Sequence, residues 1–243
     1  MKRFDSIAHV YDSQIPDHIR SYLARRKTGF MLKRMEIKGI KPSGLDLGCG
    51  TGWHIKSLAQ QGFEMIGLDS SKEQIAKAKE NNQDNNSNLL VGDSLNCPFA
   101  DNQFDFVYSI NMMHHLKTKE DQFRMWAEID RVLKPNGYFF LHEINTLNPL
   151  FKFYMEHIFP VFNRIDDGTE EWIEPNKLVN IGNLCLLSID YFTFLPNFTP
   201  KICFDALKLV ERILEGTALK KFSAHYMATF QKHNRSGSVR KPD

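Results

Sequence analysis

Apolar residues in this chain fall in short runs that end in an acid, separated by longer stretches with helical spacing. The first run, residues 44–47, carries Leu45 and Leu47 and reads as a strand. A helix is expected over 53–61, a second strand over 63–69 ending at Asp69, and a further helix over 72–83. The polar run 81–88 reads as a loop, after which Leu89, Leu90 and Val91 make a short third strand ending at Gly92-Asp93-Ser94. A fourth strand is expected over 106–110 and a fifth over 138–142, with a turn at Lys134-Pro135-Asn136-Gly137 before the fifth. Between them, residues 120–133 place Phe123, Trp126, Ile129 and Leu133 at three- and four-residue steps, the spacing of an amphipathic helix. Further strands are expected over 186–194 and 222–231, and a basic amphipathic helix over 19–37 precedes them all. Strands alternating with helices imply βαβ units and a parallel, doubly wound sheet. Ligands of such a sheet sit beyond the C-terminal strand ends, at the switch point.

Three glycines, Gly48, Gly50 and Gly52, alternate with Cys49 and Thr51 between the first strand and its helix. Glycine permits φ > 0 and leaves no Cβ in the way of a ligand lying on the backbone. Unpaired N–H groups at the start of a helix also attract negative groups. A dinucleotide fingerprint, G-x-G-x-x-G, would need glycine at position 53, where Trp53 stands. Asp46 is ill placed beside a pyrophosphate, because like charges would share one pocket; it suits a ligand carrying an amino or sulfonium charge. The loop therefore points to S-adenosylmethionine (SAM). Asp69, about 20 residues after the loop, stands where an acid takes ribose hydroxyls in doubly wound folds. Ser70 or Ser71 can cap the helix that follows, which leaves Asp69 free.

At this point the chain resembles the class I SAM-dependent methyltransferases, whose first motif reads much like Asp46–Gly52. Two further stretches carry the resemblance. Cys97-Pro98-Phe99-Ala100-Asp101-Asn102-Gln103-Phe104-Asp105 is similar to the family's link into the fourth strand, with Phe99 expected in the core. Phe4-Asp5-Ser6-Ile7-Ala8-His9-Val10-Tyr11-Asp12 is similar to the opening of small-molecule enzymes of the ubiquinone/menaquinone type. The resemblance implies an α/β, Rossmann-like seven-stranded sheet, mostly parallel with the last strand antiparallel, helices on both faces and helical lid insertions. It implies that Asp93 accepts from the adenine amino group while Ser94 and Leu95 frame the ring. Asp46, Gly48, Cys49, Gly50, Gly52, Asp69, Ser70 and Ser109 are expected around the cofactor. Tyr11 is the candidate lid contact, although Phe4, Ile7 and Tyr11 also read as a simple apolar stripe. The segment from Ser109 to Leu116 lies where methyl group and acceptor meet in the family. His114 and His115 are the candidate catalytic residues there, with Glu143 as a further group at a strand end.

Composition narrows the partners. The chain has 243 residues, 42% hydrophobic and 25% charged, which suits one soluble domain with insertions. Its net charge of +2 gives no global argument for nucleic acid, and no basic cluster with interleaved aromatics marks a nucleic-acid groove. Four scattered cysteines, with no C-x-x-C pair, predict a reduced cytoplasmic setting without structural zinc. No metal-binding histidine spacing is present. No apolar run is long enough for a bilayer, and none near the start suits a signal peptide.

The domain is expected over residues 1–232, with a helical lid over 1–40, substrate-side insertions over 145–169 and 197–216, and a disordered tail over 233–243. The aromatics Phe151, Phe153, Tyr154, Phe159 and Phe162 in the first insertion favour a small organic acceptor, phenolic or lipid-like. The same apolar segments would also suit a homodimer interface or a membrane surface. Alternatives to a small-molecule methyltransferase are a non-catalytic SAM-binding partner subunit and a macromolecule methyltransferase; a nucleotide-dependent oxidoreductase is disfavoured by Asp46 and Trp53.

Overall fold

The computed structural model describes residue 5 and residues 15–35, 41–83, 88–154, 157, 170–196 and 199–233. Seven strands form one sheet in the order β3-β2-β1-β4-β5-β7-β6. They are β1 (Ser43–Leu47), β2 (Glu64–Asp69), β3 (Asn88–Val91), β4 (Phe104–Ile110), β5 (Leu133–Ile144), β6 (Leu184–Phe192) and β7 (His225–Lys232). Strand β7 runs antiparallel to both neighbours, β5 and β6, and the other pairs are parallel. Between β1 and β4 the strand order reverses direction, which opens a crevice at the C-terminal ends.

Six α-helices accompany the sheet in the described residues: α1 (Asp17–Arg34), α2 (Trp53–Ala59), α3 (Lys72–Asn81), α4 (Lys119–Val132), α5 (Pro149–Phe153) and α6 (Lys201–Glu215). Helix α3 starts where Ser71 accepts from the Gln74 N–H at 3.1 Å, and α4 where Thr118 accepts from Asp121 N–H at 3.1 Å. Each cap satisfies a donor that the helix itself leaves open. Met125, Trp126, Ile129 and Val132 turn α4 toward the sheet. Phe123, expected on that apolar stripe, is instead 60% exposed. One residue-step of drift is enough to carry a stripe position off the buried arc.

Side-chain alternation divides the core between the two sheet faces. Phe106, Tyr108, Phe140 and Phe192 pack under α1 and α2 with Met31 and Ile55, while Leu45, Val107, Phe139 and Leu141 pack under α4 with Trp126. Phe99 sits edge-on to Phe104, 5.1 Å between centroids, at the border of the second cluster. Strand β5 begins earlier than the sequence suggests, because Leu133 pairs with Phe104 before a register shift. The irregularity holds Asn136 at φ 64° and brings Gly137 so close that a Cβ would lie 2.8 Å from the Lys134 carbonyl. The expected turn is thus a bulge within the strand.

Helices α1 and α6 lock onto each other at the C-terminal end of the sheet. Arg26 reaches Glu211 at 3.0 Å and Glu215 at 2.6 Å, and the Tyr22 hydroxyl donates to Glu211. Buried Glu211 is further satisfied by the backbone N–H groups of Phe194 and Leu195, at 2.7 and 3.1 Å. Phe204 of α6 meets Tyr22 and His18 edge-on. Most of the stretch 197–216, expected from sequence as a substrate-side insertion, is this helix. Arg20 of α1 also lies 4.0 Å over the Trp53 ring, which ties the same helix to the glycine loop.

Candidate functional site

The glycine loop follows β1 and is folded back by two donors on one acceptor: the N–H groups of Gly48 and Cys49 both reach the Leu68 carbonyl, at 2.8 and 3.1 Å. Gly48, Gly50 and Gly52 have φ of 75°, 50° and 78°, a region side-chain-bearing residues enter at a cost. Their surroundings differ. A Cβ on Gly48 would sit 2.3 Å from Met112 Cγ, and one on Gly52 2.5 Å from Asn82 Nδ2. A Cβ on Gly50 would meet nothing closer than Gln74 Oε1, at 3.9 Å, so the backbone there faces open space. That space is a cleft of about 240 Å³ at the strand ends.

Two carboxylates border the cleft. Asp69 ends β2 and accepts from Gly50 N–H and Ser71 N–H, each at 2.9 Å. Burial raises its pKa, and the backbone donors oppose that shift. Each carboxylate oxygen keeps a further lone pair for a ligand donor. Asp93 follows β3, accepts from Leu95 N–H at 2.9 Å and is otherwise exposed. Gly48, Gly50, Asp69, Ser70, Asp93 and Ser94 line the cleft together, joined by Leu95 and His115. Asp46, Cys49, Gly52, Ser109 and His114 do not line it, and Tyr11 lies outside the described residues. Asp5, which accepts from the Ser71 hydroxyl, brings the N-terminal segment to the α3 cap beside the rim.

Asp46 is turned under α1 and only 2% exposed. Burial pushes its carboxyl up to about 8, while Lys27 of α1, buried on the same side, is pushed down to about 7. A dry interior disfavours both charges, and the attraction between them only partly offsets that. The two histidines after β4 part company. His114 is 2% exposed, bonds through Nδ1 to Glu143 and stacks on Trp172 at 5.0 Å. Glu143 also accepts from Met113 N–H at 2.9 Å, which fixes the short turn Met113–His115 that presents His115 to the cleft.

Gln74 lines the cleft without having been singled out in the sequence, and so do Asn111 and Met112, which the sequence marks only as part of the segment 109–116. Asn111 holds φ 51°, bonds through its N–H to the His142 carbonyl and through Oδ1 to His142 Nδ1, both at 2.9 Å. The signal that could have found this pair is an asparagine at a strand end, tolerant of positive φ, and a polar residue inside the apolar run of β5. Among the described residues no group of three or more His, Cys, Asp or Glu could hold a metal ion. No helix among them is long and apolar enough to cross a membrane.

Residues 45–141 match the family model described as a methyltransferase domain. The chain is 37% identical over 112 residues to a sterol 24-C-methyltransferase of Schizosaccharomyces pombe, a match covering 43% of this chain and 29% of that protein. It is 32% identical over 157 residues to a demethylmenaquinone methyltransferase of Staphylococcus saprophyticus, covering 59% of this chain and 65% of that protein. It is also 34% identical over 111 residues to a probable tRNA methyltransferase 9B of Mus musculus, covering 45% and 24%. These matches span less than two thirds of the relatives' own lengths. In fold, the chain superposes with a TM-score of 0.68 on a Thermotoga maritima SAM-dependent methyltransferase described as a possible histamine N-methyltransferase, at 14% identity, covering 95% of this chain and 99% of the other. The glycine loop, the acid-ended strands and the strand order thus belong together: the chain carries a methyltransferase domain of the class I SAM-dependent type, for which SAM is the implied cofactor.

Proposed function

We propose that this chain transfers the methyl group of SAM to a small organic acceptor, phenolic or lipid-like. One observation carries the reading. The open backbone at Gly50, the Asp69 carboxylate and Asp93 converge on one cleft at the switch point. These residues fit SAM: Asp69 offers two acceptor oxygens to the ribose hydroxyls, and Asp93 offers one to the adenine amino group. Leu95 and Leu116 supply apolar walls for the ring, while Gly48 and Gly50 let the ligand lie on the backbone. When bound, SAM supplies an activated methyl group on a good leaving group. The work left to the chain is to orient the acceptor and keep water out. His115 lines the cleft with Asn111 and Met112, which supports reading it as the side chain that touches the reacting groups. His114 acts at one remove, holding that turn through Glu143.

The likeness to the tRNA methyltransferase supports a second reading, a macromolecular acceptor. The aromatics of the 145–169 insertion favour the small one. Calorimetric titration with SAM and with NADH tests the cofactor first. Micromolar binding of SAM alone is expected; binding of neither would favour a non-catalytic partner subunit. Screening phenols, quinol precursors and lipids against bulk tRNA, with the SAM-loaded protein, then separates the acceptors.

A further inference from the structure

A helix that packs on a sheet ordinarily turns its apolar face inward and its charges to water. Helix α6 does the reverse. Ile202, Ala206, Leu209, Val210 and Ile213 fall at three- and four-residue steps on one face, and all are exposed, Ile202 to 98%. The opposite face carries carboxylates inward. Glu211 is buried on the N–H groups of Phe194 and Leu195, and Glu215 accepts from Thr193 N–H at 2.8 Å while pairing with Arg26. These bonds fix the rotation of the helix, because turning the apolar face inward would strip Glu211 of its partners. The helical turn Ala218–Phe222 extends the pattern, with Leu219 and Phe222 half exposed. Around these apolar side chains stand Lys201, Arg212, Lys220 and Lys221, all exposed and without a carboxylate partner among the described residues. Asp205, the exposed acid of α6, is already paired with Lys208 at 2.6 Å.

We propose that this face of α6 docks on the surface of a lipid bilayer that carries anionic headgroups. Its apolar side chains enter the boundary between headgroups and acyl chains, and the cations around them meet the negative surface. With 15 residues, α6 is too short to span a bilayer and lies in the plane of its surface. The charge around the face decides the occupant. In a twofold contact between copies the same patch faces itself, which would bring Lys201, Arg212, Lys220 and Lys221 toward their own like charges. Residues 234–243 of this chain fit no better, since Val239 is their one aliphatic side chain and Arg235, Arg240 and Lys241 add further positive charge. The face also stands at a telling place in the fold. Strands β5 and β6 both run antiparallel to β7, so the end of β6, where Glu211 is held, lies on the edge of the sheet that holds the cleft. The proposal goes beyond the methyl-transfer reading and does not depend on it.

Flotation of the full chain with lipid vesicles tests this. Phosphatidylcholine vesicles with roughly one third phosphatidylglycerol are expected to carry the protein at low salt, and vesicles of phosphatidylcholine alone to carry about tenfold less. Replacing the face, with Ile202→Ser, Leu209→Ser and Ile213→Ser together, should weaken binding to the anionic vesicles by about tenfold or more. Lys220→Glu with Lys221→Glu should weaken it several-fold and flatten its salt dependence. Thermal melts check that both variants fold, and the two act on different sides of the same contact, so either alone decides. No flotation with anionic vesicles, equal flotation with neutral ones, or undiminished flotation of the variants would overturn the proposal. So would a dimer, seen by analytical ultracentrifugation without vesicles, that the serine variant abolishes.

Discussion

The Gly50 backbone N–H donates to the Asp69 carboxylate at 2.9 Å, so the loop after β1 is braced by the acid that ends β2. One side chain therefore both shapes the loop and faces the cleft. Asp69→Ala should lower SAM affinity by roughly 1–3 kcal/mol through lost hydrogen bonds. Asp69→Asn, which keeps one acceptor oxygen, should fall between. Calorimetry decides: an unchanged dissociation constant for Asp69→Ala would remove the residue from the ribose.

Two glycines of the loop should fail differently. Gly48→Ala places a methyl 2.3 Å from Met112 Cγ and should chiefly lower the melting temperature. Gly50→Ala has room around it and should cost the fold only about 1–2 kcal/mol from its left-handed backbone, while abolishing tight SAM binding. Thermal melts beside titrations separate the two. Equal melting temperatures with equal affinities would show that the space over Gly50 is not where the ligand lies.

The bridge from Arg26 to Glu211 and Glu215 should respond more to one lost partner than to two. Arg26→Met leaves buried Glu211 without its cation and should destabilise by about 3–5 kcal/mol. Adding Glu211→Gln should restore part of that loss. Urea unfolding of the single and double variants measures it, and strictly additive losses would mean the pair is uncoupled.

Acid should unfold this protein through its buried histidines. Burial drives the pKa of His54 and of His225 from 6.5 down to about 3. Between those values the unfolded chain binds more protons than the folded one, so stability rises with pH and is lost as pH falls from 6.5 toward 3. Each such histidine contributes about 2 kcal/mol of that loss by pH 5. His225→Phe should therefore flatten the fall in urea-derived stability between pH 7 and pH 5; an unchanged slope would show that His225 is solvated in the folded state.

What was legible in the sequence was what repeats or turns. The alternating glycines, the acids that end strands and the apolar runs pointed to Gly48, Gly50, Asp69, Ser70, Asp93, Ser94 and Leu95, which line the cleft, because each reflects a local rule of the backbone; Asp46, Cys49 and Gly52 follow the same rules and do not line it. Phe123, Lys27 and His142 were not legible in the same way. Phe123 follows the helical stripe yet lies exposed, and Lys27 sits in a basic helix yet points inward. His142 belongs to a strand whose two faces are both covered, so alternation does not reveal what lies above it. All three depend on which element packs where, and no window of sequence contains that. The same is true of Leu133, whose place in β5 depends on pairing with Phe104 across the sheet.

The joint between α1 and α6 brings together residues 185 positions apart, Arg26 and Glu211. Emerging from a ribosome, the chain can complete β1 to β4, and with them the cofactor cleft, long before α6 has been made. The joint that fixes α1 beside the end of β6 has to wait for the last part of the chain. A nascent chain of this kind would therefore have the lining of its cofactor cleft complete while Arg26 of α1 still lacks its partners on α6.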